Sequence, residues 1–233
     1  VLTIGDEATG AIARFQDRIR AAYPLFEQEV EQHMRVEITE AGVLETKREA
    51  HPVFRFLNLD RHWRVSVTPQ SLALEAEAKG YAGWPDFANR IATLITAVRE
   101  LFNPSHVLSI GVRFLNAAPA EGPEDPRLYC TPELTSVTGQ EGLKRADLLW
   151  DFKVDEGDLL LRSGLVLPNT TYDPHFFEPR PVLAWYLDID VIRNEVAQFD
   201  DQRVSAAILA QVLRLYEIYR WALPKQRGVP SAL

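Results

Sequence analysis

His62-Trp63-Arg64-Val65-Ser66-Val67, the turn Thr68-Pro69-Gln70-Ser71, and then Leu72-Ala73-Leu74-Glu75-Ala76 decide the fold. Trp63, Val65 and Val67 alternate with Arg64, Ser66 and Thr68, and Leu72, Leu74 and Ala76 alternate with Ala73, Glu75 and Glu77. A period of two, with polar residues on one side, is the mark of antiparallel strands that keep one face wet. Pro69 falls at the second turn position, where its fixed φ is favoured. The run Val53-Phe54-Arg55-Phe56-Leu57 just upstream reads as a further strand, so the segment is a three-strand meander.

The pattern extends both ways. Ile12, Phe15, Ile19 and Tyr23 recur at three- and four-residue spacing among Arg14, Asp17, Arg18 and Arg20. This predicts an amphipathic helix over 7–23, stopped at Pro24. Residues 29–39 alternate and read as a strand. Phe87, Ile91, Leu94, Ile95, Val98, Leu101 and Phe102 form a broad apolar stripe behind Pro85, predicting a helix that ends at Asn103-Pro104. A strand follows over 106–116, a loop over 117–126, and a weak strand near 134–137. Asp147–Lys153 and Asp158–Leu167 flank Asp155-Glu156-Gly157 as a hairpin. A polar-aromatic loop over 168–180, an apolar strand over 181–192 and a long helix over 202–223 complete the chain, with Pro224 ending the helix.

Strands followed by one long helix therefore occur twice. The expected fold is α+β, predominantly antiparallel sheet in two strand-rich halves, each closed by a long helix packed on the sheet. No Pro/Gly/Ser-rich linker divides the chain, so 1–233 reads as a single α+β domain with pseudo-halves of about 1–104 and 105–233.

With 46% apolar and 25% charged side chains, the 233 residues can bury a core without disulfide or metal staples. The net charge of −8 disfavours a nucleic-acid partner, which calls for a basic surplus or a basic face. Cys130 is the lone cysteine, so no intrachain disulfide forms. No stretch approaches the ~20 apolar residues of a membrane span, and no signal-peptide pattern opens the chain. The expectation is a cytoplasmic protein with no membrane partner.

Four segments, in order, carry a resemblance. They are His62–Val67 with Leu72–Glu75, then Tyr81-Ala82-Gly83-Trp84-Pro85-Asp86-Phe87, then Ile110-Gly111-Val112-Arg113-Phe114-Leu115-Asn116, then Tyr186-Leu187-Asp188-Ile189-Asp190. Together they resemble a sporadically distributed family of uncharacterised bacterial proteins. The resemblance runs from about the first helix to the end of the chain. It implies a bacterial source, a shared fold and an apolar strand ahead of the first helix. It implies no activity, cofactor or catalytic residue.

Motifs of known chemistry are lacking. His33, His51, His62, His106 and His175 include no pair at helical metal-site spacing, and no Cys-x-x-Cys occurs. No nucleophile elbow, phosphate-binding loop or dinucleotide fingerprint occurs either. No cofactor and no metal are expected. Asp188 and Asp190, two apart on a strand, share a face and are candidates for acid–base work or divalent-metal binding, with His62 or Glu75 as a third group. The plainer reading of the pair is a solvated sheet face or an ion pair with an arginine. Arg113, set between Val112 and Phe114, calls for such a carboxylate, so an Arg113–Asp188 or Arg113–Asp190 pair is expected. Asn116 is a candidate to bind at the strand end, and Tyr172, His175 and Phe176 to form a recognition lip on the polar-aromatic loop.

The leading functional expectation is a non-catalytic protein-binding or assembly module, with a protein partner or a homo-oligomer through a sheet edge or helix face. The rivals are a metal-dependent hydrolase or nuclease with a carboxylate site, and a small-molecule sensor domain.

Overall fold

The computed structural model describes residues 8–38, 44–120, 125–137, 143, 145–173 and 177–224, with side chains from 10 to 31 and from 50 onward. The fold is α+β, with two antiparallel four-stranded sheets. The chain divides into two compact units, one running to Val107 and including Ala197–Asp201, the other holding Leu108–Val196 and the residues from Gln202 on.

In the first unit, helix α1 (Ala8–Ile19) is followed by strands β1 (Leu25–Ile38), β2 (Leu44–Leu57), β3 (Trp63–Val67) and β4 (Leu72–Ala76), then helix α2 (Trp84–Phe102). The strands lie in sequence order. Trp63, Val65 and Val67 are buried and alternate with half-buried Arg64 and Ser66, as the period of two requires. They meet Ile12, Phe15 and Ile19 of α1 and Leu94, Ala97 and Val98 of α2 in one core. The Phe15 ring lies 5.6 Å from both Phe56 and Phe102. Pro85 opens α2, and Asn103 closes it in the left-handed conformation (φ 43°) with its N–H on the Arg99 carbonyl.

β2 starts nine residues before the Val53 run predicted from the sequence. The added stretch holds Glu45-Thr46-Lys47-Arg48-Glu49, which carries no strand-like apolar alternation. Its strand character comes from pairing with β1, in register from Leu25↔Leu57 to Ile38↔Leu44.

The second unit carries β5 (His106–Pro119), β6 (Ala146–Val154), β7 (Gly157–Val166) and β8 (Ala184–Gln198), in spatial order β5-β8-β7-β6. Leu159, Leu161, Ser163 and Leu165 of β7 share a buried face with Trp185, Leu187, Ile189 and Val191 of β8. Helix α4 (Asp201–Ala222) buries Ile208, Val212, Leu215 and Tyr216, and Leu215 joins that core. The turn between β6 and β7 needs Gly157. Its φ is +144°, and an added Cβ would stand 2.3 Å from the Ile192 carbonyl oxygen. The weak strand expected near 134–137 is instead a short helix, α3 (Pro132–Thr135). Pro132 at its first position pre-sets helical φ, and Leu134 is fully buried in the same core.

Candidate functional site

The face of the second sheet opposite that core carries most of the candidate residues. On β5, Val112 and Phe114 pack with the α4-side core, while Leu115 and Ala117 pack with Val166, Ala184 and Tyr186 on the other face. Arg113 shares that second face by strand alternation. Asp188 lies on β8 opposite Arg162 of β7, and Tyr186 lies opposite Gly164.

Arg113 grips Asp188 with both arms of its fork. Nε donates to Oδ1 at 2.8 Å and Nη2 to Oδ2 at 2.9 Å. Nη2 also donates to Asp173 Oδ2 at 3.2 Å, from the loop that follows β7. Of the two partners left open by the sequence, Asp188 is the one taken. Its side chain is only 7% exposed, so a bidentate cation is what makes its burial tolerable. The hydrogen bonds to Asp188 hold the guanidinium still more firmly in its charged form, against the burial that opposes it.

Tyr172 closes the second side of Asp188. Its hydroxyl donates to Asp188 Oδ2 at 2.6 Å and accepts from Arg162 Nη1 at 2.8 Å. Burial raises the Tyr172 pKa, and the Asp188 carboxylate adds to it, while Arg162 pulls the other way. The Tyr172 ring stacks on Tyr186 at 4.3 Å with 14° between planes. Tyr186 donates in turn to Asp147 Oδ1 of β6 at 2.7 Å. Burial, then Asp147, raises the Tyr186 pKa strongly. Gly164 makes this layering possible, since an added Cβ would sit 2.9 Å from the Tyr186 ring and 2.1 Å from the Ala146 carbonyl oxygen.

Three strands and one loop thus converge through Arg113, Asp188, Asp173, Tyr172 and Arg162. Chemically the cluster is saturated. Asp188 accepts two guanidinium bonds and one phenol bond, and every donor that reaches it is spoken for. Asp190, two residues on, is the exception. It is half-buried, and its carboxylate has no hydrogen-bond partner among the described residues. Burial raises its pKa, Arg113 opposes that, and Asp188 reinforces it.

The other sequence candidates fall elsewhere. His62 and Glu75 belong to the first unit, where His62 Nδ1 meets Glu77 at 2.9 Å and Glu75 pairs with Arg64. Asn116 is half-buried on the opposite strand parity from Arg113 and makes no side-chain hydrogen bond among the described residues. His175 and Phe176 lie outside the described residues. Among the described residues, no three potential metal ligands gather together.

Sequence reasoning missed Arg162, Asp173 and Asp147. Arg162 was findable by the logic applied to Arg113, because it interrupts Leu159-Leu160-Leu161 and Gly164-Leu165-Val166. Asp173 and Asp147 carry no local signal, since each is defined by a contact across 60 or 39 residues of chain. No helix among the described residues is long and apolar enough to cross a membrane. Comparison of the chain with protein-family models, with curated proteins and with solved structures gives no match.

Proposed function

We propose that the chain is a non-catalytic protein-binding or assembly module. The observation that carries this reading is the shape of the first sheet. On its β2 side, β3 pairs with Phe54–Leu57 alone. The ten rungs from Glu29↔Val53 to Ile38↔Leu44 are a two-stranded ribbon with no third strand of the sheet beside it among the described residues. At ~3.4 Å per residue such a ribbon is about 30 Å long. A two-stranded ribbon is marginal in water by itself and gains stability from a further strand or a packed surface. Its unpaired N–H and C=O groups offer that strand a ladder, the general mode of strand addition.

At its base the ribbon is held by charge. Arg55 pairs with Glu29 and with Glu31, and Arg61 pairs with Glu27 at 2.8 Å. Between Glu29 and Glu31, Val30 is 62% exposed, an apolar side chain left for a partner to cover.

The carboxylate cluster of the second unit lends the hydrolase reading no support. Asp188 is neutralised by Arg113 and capped by Tyr172, which leaves it a poor metal ligand and a poor base.

Hydrogen exchange over residues 32–50, joined to sedimentation across a concentration series, tests the module reading. The expected result is ribbon protection that rises as the chain associates with itself or a partner. A chain that is monomeric throughout, retains no protein, and exchanges its ribbon amides equally at every concentration would overturn it.

A further inference from the structure

We infer that β6 is a self-pairing edge, and that the partner it fits is a second copy of this chain. The inference rests on the assembly reading above and names its partner.

β6 is the outer strand of the second sheet, nine residues long. Leu149 on it is 54% exposed and Phe152 is 45% exposed. A long edge strand with uncovered apolar side chains is a template for another strand. Its charges say which strand.

Two antiparallel copies related by a two-fold axis must have that axis perpendicular to the sheet, midway between one residue of the strand and its own copy, so that both cores stay on the same side. Only Trp150, the midpoint of Ala146–Val154, lets all nine residues pair. On that axis Asp147 faces the second copy's Lys153, and Arg145, just before the strand, faces its Asp155. By symmetry each attraction occurs twice. On the core-facing side Leu148 meets Phe152, Trp150 meets its own copy, and Ala146 meets Val154. Moving the axis to Leu149 sets Asp147 against Asp151 and Arg145 against Lys153. Moving it to Asp151 sets Asp151 against itself and Asp147 against Asp155. Both neighbouring registers are therefore repulsive, whereas the full-length register pairs opposite charges and the largest number of residues.

The groups needed are exposed. Lys153 is 77% exposed along its side chain, and its partner among the described residues is Asp158. Asp147 accepts the Tyr186 hydroxyl at Oδ1, and its Oδ2 makes no hydrogen bond among the described residues. Arg145 and Asp155 are exposed. The dimer would have a continuous sheet, in the order β6-β7-β8-β5 read outward from each side of the axis.

The test is a charge swap, read by sedimentation equilibrium of the full chain. R145E sets two Glu–Asp pairs across the axis and is expected to raise the dimer Kd about tenfold; D155K alone sets two Arg–Lys pairs and should do the same. R145E/D155K restores opposite charges and should recover the native Kd. Both sites are exposed, and circular dichroism checks that each variant folds. Three outcomes overturn the inference: a strict monomer, a dimer indifferent to both single variants, or a double variant no tighter than the singles. Retention of a different protein on β6 overturns it too. If the swap fails while ribbon amides still gain protection on association, the β6 inference falls and the module reading stands.

Discussion

Replacing Arg113 with Met removes the cation from a carboxylate that has nowhere else to turn. Asp188 would keep one hydrogen bond, from Tyr172 at 2.6 Å, and lose the two from Arg113. Removing one member of a buried ion pair costs about 3–5 kcal/mol, because the other charge stays buried and uncompensated. Asp188 is nearly enclosed at 7% side-chain exposure, but Arg113 is 29% exposed, so water can enter where the guanidinium stood. The lower end applies, about 3 kcal/mol. Removing both charges with R113M/D188L deletes the stranded anion as well and should cost about 1 kcal/mol, less than R113M alone. Urea denaturation at pH 7, followed by fluorescence of the buried Trp185, measures each variant. The reasoning fails if R113M costs under about 1 kcal/mol, or if the double variant costs the sum of the singles.

Three other outcomes follow from the same geometry. Gly164→Ala would drive a Cβ to 2.1 Å from the Ala146 carbonyl and should cost about 2–3 kcal/mol in urea, whereas Gly10→Ala, with nothing within 4 Å, should be neutral or stabilising. Asp190 has its folded pKa raised above the ordinary 3.8, so it penalises folding increasingly as pH climbs through that value and fully above the folded one. Asp190→Asn should therefore raise the urea midpoint at pH 7 and lose its advantage in acid; an equal advantage at pH 3 would contradict the assignment. Burial, helped by Asp125, pushes the Cys130 thiol from 9.0 up to about 12, so at pH 8 it holds ~1000-fold less thiolate than an ordinary cysteine. Ellman's reagent should label it far more slowly in the native chain than in urea, and equal rates would contradict the raised pKa.

The sequence by itself determined the kinds of element and most of their places. Alternation in Trp63–Val67 and the stripe from Phe87 to Phe102 are local statements, because strand and helix each repeat within a few residues. The same logic marked Arg113 as a charge in need of a carboxylate. Only the tertiary structure decided which carboxylate, because Asp188 and Asp190 share parity and differ only in what the neighbouring strand and loop bring to them. It alone supplied Tyr172 and Arg162 as the rest of the cluster, through contacts that no local period encodes. It also made a strand of 44–52, whose polar composition argues against one, because the ladder with β1 supplies the hydrogen bonds that side-chain pattern does not announce. Near 134–137 it turned an expected strand into a helix, where a buried Leu134 and a leading proline outweighed a short apolar run. Short-range periodicity names elements; long-range pairing chooses partners, and function depends on the partners.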